Sequence, residues 1–221
     1  MKDELFRLMM LTIAAIMLVS CSAGENIVLQ DITCSPPCWK KITPGYSNEQ
    51  EVNSILRNLP EVKSDSIRTT SVIGPNDSIS FDFISDVGDG GGIILIRDGI
   101  AVAIDFGSGD RVLRFNEAVN IFGEPENVIV LYFKGERIQL STFLLYPTKG
   151  VALLNIQVPF KGEQAQIEPN QQVEAFWYFD PKLFNELMTG GFISNHPLDV
   201  IQKAMQPWKG YGEYNFIQTD W

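Results

Sequence analysis

Histidine is almost missing from this 221-residue chain, with a single copy at His196. A serine or cysteine nucleophile would have only that imidazole as its base, and no G-x-S-x-G elbow accompanies it. Cysteine is nearly as rare, at Cys21, Cys34 and Cys38, and no His, Cys and carboxylate cluster of zinc-binding pattern occurs. Positive charge is sparse: 17 Lys and Arg stand against 27 Asp and Glu, for a net charge of −10. Without a basic run, a nucleic-acid partner is excluded, because such binding rests on phosphate neutralisation. Electrostatic attachment to anionic lipid is disfavoured for the same reason. Long apolar runs are also absent except for Leu8 to Val19, broken by Thr12. At about 1.5 Å per residue that run spans roughly 18 Å, short of the roughly 30 Å hydrocarbon core of a bilayer.

What is present begins with export. Lys2 and Arg7 precede the apolar run, which reads as the h-region of a signal peptide over residues 1–20. It ends in Leu18-Val19-Ser20-Cys21, a tetrapeptide that resembles the bacterial lipobox. That resemblance implies acylation of the Cys21 sulfur and cleavage before it; the alternative is an ordinary signal peptide with an incidental cysteine. Two or three acyl chains, at roughly 0.8 kcal/mol per buried methylene, hold a protein on a membrane persistently. Residues 21–32 then form a tether, and the expected location is extracytoplasmic, lipid-anchored to the cell membrane. Ser22 follows the lipidation site, where an aspartate commonly retains lipoproteins at the inner membrane, so outer-membrane sorting is expected if the cell has one.

Setting Cys21 aside leaves Cys34 and Cys38 as a pair in an oxidising compartment. The stretch Cys34-Ser35-Pro36-Pro37-Cys38 has three intervening residues, against two in thioredoxin-like sites, and Pro37 disfavours helical geometry at Pro36. A structural disulfide is the favoured reading. Redox or copper delivery through the pair, or two free thiols, are the alternatives.

Two segments carry helical periodicity. Ser47 and Gln50 form a capping box ahead of Val52, Ile55, Leu56 and Leu59, and Pro60 stops the helix. Phe115, Ala118, Val119 and Phe122 repeat that stripe before Gly123-Glu124-Pro125. Each is followed by strand-like runs. Ile79, Phe81 and Phe83 alternate with polar residues, and Ile93–Ile96 and Ile100–Phe106 flank Asp98-Gly99, the composition of a type I′ hairpin. Val128–Phe133, Ile138–Tyr146, Val151–Val158 and Val173–Phe179 are the later strands. The fold class expected is α+β: two helix-then-antiparallel-meander units side by side, at 33–110 and 111–179. A C-terminal helical and aromatic extension, 180–221, packs on the second unit. It has an Asp180-Pro181 helix start and another at Pro197.

Apparent motifs thin out on inspection. Asp105-Phe106-Gly107 spells a kinase tripeptide but ends a strand. The stretch 86–92, with Asp86 and Asp89, lacks the order of a calcium loop. No catalytic residue, metal site or cofactor is expected. The candidate binding residues are Trp208, Tyr211, Tyr214 and Trp221, with Phe216 among them; these aromatics either line a groove for a peptide or sugar or cover the edge of the core.

The stretches ITPGYSNEQEVNSIL and AVNIFGEPENV resemble the repeated helix opening of the SmpA/OmlA outer-membrane-assembly lipoproteins and the β-lactamase-inhibitor-protein superfamily. Gly45, Ser47, Val52 and Leu56 match the opening in the first unit, and Gly123 and Pro125 the ending in the second. The first unit lacks the glycine before Pro60, and the second lacks the Gly-x-Ser opening. PPCWKKITPG also looks like the start of uncharacterised bacterial lipoproteins. The resemblance implies protein binding through an exposed sheet face, without chemistry. The expected function is therefore a non-enzymatic binding or scaffold module at the cell envelope, with the lipid membrane and an envelope protein as partners. A solute- or glycan-binding lipoprotein using the C-terminal aromatics is the alternative.

Overall fold

The computed structural model describes residues 34–73, 76–83, 90–107, 113–134, 138–158, 160, 162, 164–190, 193–194 and 196–219. The signal peptide, Cys21, the tether, residues 86–89 and Trp221 lie outside them.

Helix α1 (Glu49–Asn58) is capped by Asn48. The Asn48 side-chain oxygen accepts from the Glu51 N–H, and the Glu51 carboxylate accepts from the Asn48 N–H, both at 3.0 Å. This reciprocal pair satisfies donors that the first turn leaves free. The box expected at Ser47 and Gln50 is thus displaced by one residue. Ser47 is buried in the preceding turn, where its hydroxyl oxygen accepts from the Thr43 N–H at 3.0 Å. Val52 and Leu56 form the buried stripe of α1.

Strands β1 (Arg68–Ile73), β2 (Asn76–Asp82), β3 (Gly91–Arg97) and β4 (Ile100–Gly107) follow as an antiparallel meander. Asp98 and Gly99, between β3 and β4, have φ of 51° and 75°, the left-handed pair that a type I′ turn requires. Helix α2 (Phe115–Phe122) buries Phe115, Ala118 and Phe122 and stops at Gly123, whose φ is 78°. A second antiparallel meander is built from β5 (Asn127–Lys134), β6 (Ile138–Tyr146) and β7 (Val151–Gln157). Next come the short β8 (Ala165–Ile167) and β9 (Ala175–Phe179).

Strand β9 overturns the expectation of an α+β fold of two helix-then-meander units side by side. It lies antiparallel to β4 on one side and to β7 on the other, so Asp105, Trp177 and Ala152 fall in one cross-strand row. Hydrogen bonding is therefore continuous through a single ten-stranded sheet, in the order β1-β2-β3-β4-β9-β7-β6-β5 with the tail beyond β5. The architecture is mostly sheet, with four short helices among the described residues. The physical reason is the edges. Two side-by-side meanders would each leave a row of unpaired N–H and C=O groups at β4 and β7. The run Ala-Phe-Trp-Tyr-Phe, apolar without alternation, suits a strand covered on both faces, and it closes that gap.

The sheet has a core on each face. On the front, α1 and α2 pack with Ile94, Ile104, Phe106, Val130, Leu144, Phe176 and Tyr178. On the back, α3 (Phe184–Thr189) and α4 (Leu198–Ala204) cover Leu95, Ala103, Ile129, Leu145, Trp177 and Phe179. The C-terminal helices thus reach residues of both meanders. Asp180 caps the 3-10 turn Pro181–Leu183 that leads into α3, its carboxylate accepting from the Lys182 N–H at 3.1 Å.

The tail then seals one side of the sheet. Strand β10 (Met205–Pro207) runs antiparallel to β5 beside 127–129, and β12 (Ile217–Thr219) runs parallel to it beside 131–133. Between them β11 (Gly212–Tyr214) pairs with β8. The opposite edge, β1, is left outermost but irregular, with a register break between Thr70 and Ile73 that blunts it as a pairing template.

Candidate functional site

Cys34 and Cys38 are disulfide-bonded, with Cα atoms 5.6 Å apart. The loop they close docks on the turn between β6 and β7. A Cβ placed on Gly150, whose φ is +61°, would sit 3.0 Å from the Pro37 Cβ and 2.1 Å from the Phe179 carbonyl oxygen. Trp39, directly after the bridge, is fully buried between Phe81 at 5.6 Å and Phe106 at 4.9 Å, with Phe83 at its edge. The bridge therefore anchors a core aromatic to the body of the protein. Among the described residues no group of three or more His, Cys, Asp or Glu is arranged to hold a metal ion.

The aromatic tail is turned largely inward. Trp208 stacks on Tyr214 at 6.0 Å and meets the edge of Tyr211 at 5.3 Å. The buried Tyr214 hydroxyl accepts from the Lys209 N–H at 2.7 Å and donates to the Gly210 carbonyl at 2.8 Å, fastening its own loop. Phe216 packs on Tyr132 at 5.1 Å and on Phe160 at 6.0 Å. Tyr211 is the outward member, 37% exposed. Below it, the fully buried Tyr146 hydroxyl has no hydrogen-bond partner, and burial, reinforced by Tyr211, holds it well above its usual value.

A different surface has the shape of a site. On the back of the sheet, beside α3 and α4, a groove of about 200 Å³ opens over β5, β6 and β7. Leu131 and Phe133 from β5, Phe143 from β6, and Leu154 and Ile156 from β7 make an apolar floor. They share it because alternate residues of a strand face the same way. Gln139 and Ser141 add a polar line, the Gln139 side-chain amide donating to the Ser141 hydroxyl oxygen at 3.0 Å. The segment between α3 and α4 overhangs the groove with Ile193, Ser194 and His196. The His196 ring stacks on Phe133 at 5.4 Å, and burial lowers its pKa, so it is neutral at physiological pH.

One carboxylate lies on the same face. Asp105 is flanked across the strands by Ile93 and Trp177. Burial pushes its pKa up to about 6. The buried Trp177 indole N–H makes no hydrogen bond of good geometry, yet it lies near enough to the carboxylate to oppose part of that rise.

Sequence reasoning placed the binding residues in the tail and did not find this groove. Its strand residues were visible as alternation, but the register that brings 131, 143 and 154 together is a tertiary property. The sequence offers His196 as the one possible base, whereas in the structure it forms part of a wall. Asp105 was correctly placed near the end of a strand, but its burial was not foreseen. The arrangement offers binding: an apolar floor with a small number of fixed polar groups, the usual make-up of a ligand pocket. No protein-family model, curated protein or solved structure matches the chain.

Proposed function

We propose that this chain is an exported, lipid-anchored, non-enzymatic binding module of the cell envelope, tethered through Cys21 and presenting the back-face groove to its ligand. The observation that carries the reading is the Cys34–Cys38 bond. It accounts for every cysteine except the one in the lipobox-like tetrapeptide, and such bonds persist outside the cytoplasm. The groove supports the binding half: it is an apolar concavity on the sheet face that α3 and α4 cover in part. Binding through a sheet face is also what the resemblance to envelope lipoproteins implies.

The test is metabolic labelling of the full chain with an alkyne-bearing fatty acid, followed by membrane fractionation. The wild-type chain takes up label and sediments with membranes, and Cys21→Ser loses both. Absence of label on the wild-type chain, with two alkylatable thiols in freshly isolated protein, overturns the reading.

A further inference from the structure

We propose that the back of the sheet binds a small organic cation, an ammonium or guanidinium group on an apolar body, with its charge at Asp105 and its body in the groove. The inference rests on reading the groove as the ligand site.

Asp105 and the groove share one face. Along β4 it lies two residues from Ala103, which belongs to the back core and shares its face, and in register it stands opposite Trp177 of the same core. Towards the open end of the sheet the next residues on this face are Gly107 on β4 and Ala175 on β9, directly paired, with Leu154 of the groove next in line. Small side chains keep this path low; it crosses two strand spacings of roughly 4.8 Å and runs two residues of roughly 3.4 Å along the strand, about 12 Å in all. Trp177 stacks with Phe143 at 6.4 Å, so an aromatic surface joins the residue beside the carboxylate to the groove floor.

Arg97 is engaged by Glu186 at 2.8 Å and Lys203 by Asp199 at 3.1 Å, and among the described residues no ion pair reaches Asp105. A carboxylate packed between Ile93 and Trp177 is costly to keep ionised, yet with a pKa of about 6 it remains mostly an anion at neutral pH. An incoming cation relieves that cost, and an adjoining indole adds to its attraction. A groove of about 200 Å³ lies below the roughly 300–1,000 Å³ of drug-sized pockets, which fits a small body. The net charge of −10 draws cations towards the molecule.

The experiment titrates the full chain in phospholipid nanodiscs at neutral pH with phenethylamine, phenethyl alcohol and phenylpropionate, read by ligand-observed NMR. The amine binds at least about fivefold tighter than the alcohol, the scale of a partly desolvated ion pair, and the carboxylate binds weakest. Asp105→Asn brings the amine down to the affinity of the alcohol, and Ile156→Gln, at a half-exposed groove position, weakens amine and alcohol alike. Equal affinities for amine and alcohol, or an amine preference that survives Asp105→Asn, overturn the cation assignment and leave the groove standing as a site. Failure of all three probes to bind removes the groove as a ligand site, and this inference with it.

Discussion

The two faces of the sheet are built from the same strands but have been finished differently. The front is closed along its length. Aromatic rings run from Trp39 through Phe106, Phe176 and Phe122 to Tyr146, with centroid separations between 4.9 and 5.8 Å, and α1 and α2 cover them. The back is covered only in part, where α3 and α4 sit. Beside them it keeps a groove, and on the β3 and β4 side it keeps a desolvated carboxylate and an isoleucine, Ile93, that is 38% exposed. The difference separates what stabilises this protein from what it can offer to a ligand. A buried aromatic lowers the energy of the fold, whereas a desolvated carboxylate with no salt-bridge partner among the described residues raises it.

Substitutions on the two faces should therefore move stability in opposite directions. The largest effect is expected at the front, where Trp39→Ala empties a fully buried site and costs about 3–5 kcal/mol, read as a drop in the urea midpoint. An unchanged midpoint would place Trp39 outside the cooperative core. At the back the sign reverses. The Asp105 pKa of about 6 exceeds its ordinary 3.8, so between those values the native state holds a proton that the unfolded chain has released. Wild-type stability consequently falls as pH rises from about 4 to about 6, and Asp105→Asn lacks that fall. The variant should match the wild type below about pH 4 and exceed it above about pH 6, by at most about 3 kcal/mol. Denaturant melts across that pH range check it, and a constant difference at all pH values would assign the effect to packing.

Two smaller effects sharpen the contrast by testing how the front is assembled. Removing the bridge with Cys34→Ser and Cys38→Ser together costs about 2 kcal/mol by the loop-entropy account of a five-residue ring. That loss should accompany increased solvent quenching of Trp39 fluorescence. Asn48→Ala removes half of the capping box of α1 and costs about 1 kcal/mol, measurable by thermal unfolding. Neither change should alter ligand binding at the back, which calorimetry can check.

Local structure was legible where one short stretch contains all of its causes. The Asp98-Gly99 turn, the bounds of Ile138–Tyr146 and the stripe of Phe115, Ala118 and Phe122 could be read directly. The start of α1 was misread by one residue because Ser47, Asn48, Glu49, Gln50 and Glu51 offer overlapping caps. The choice fell to Asn48 once Ser47 was drawn into the buried turn with Thr43. The architecture was misread for a larger reason. Nothing local in Ala175–Phe179 says that it lies between β4 and β7, more than sixty and twenty residues earlier in the chain. The aromatic tail was recognised as aromatic, but its residues pack mainly on Tyr132, Phe160 and one another.

Composition and periodicity alone determined the scarcity of histidine and cysteine, the excess of acidic residues, the pairing of two neighbouring cysteines and most of the helices and strands. These depend on residue type and on spacing within a few positions. Tertiary structure alone decided that the meanders share one sheet, which edge the tail seals, and that Asp105 stands on the same face as the groove. Those outcomes follow from pairing register and from which side of a strand each element covers, and both are settled only when distant backbone donors and acceptors find one another.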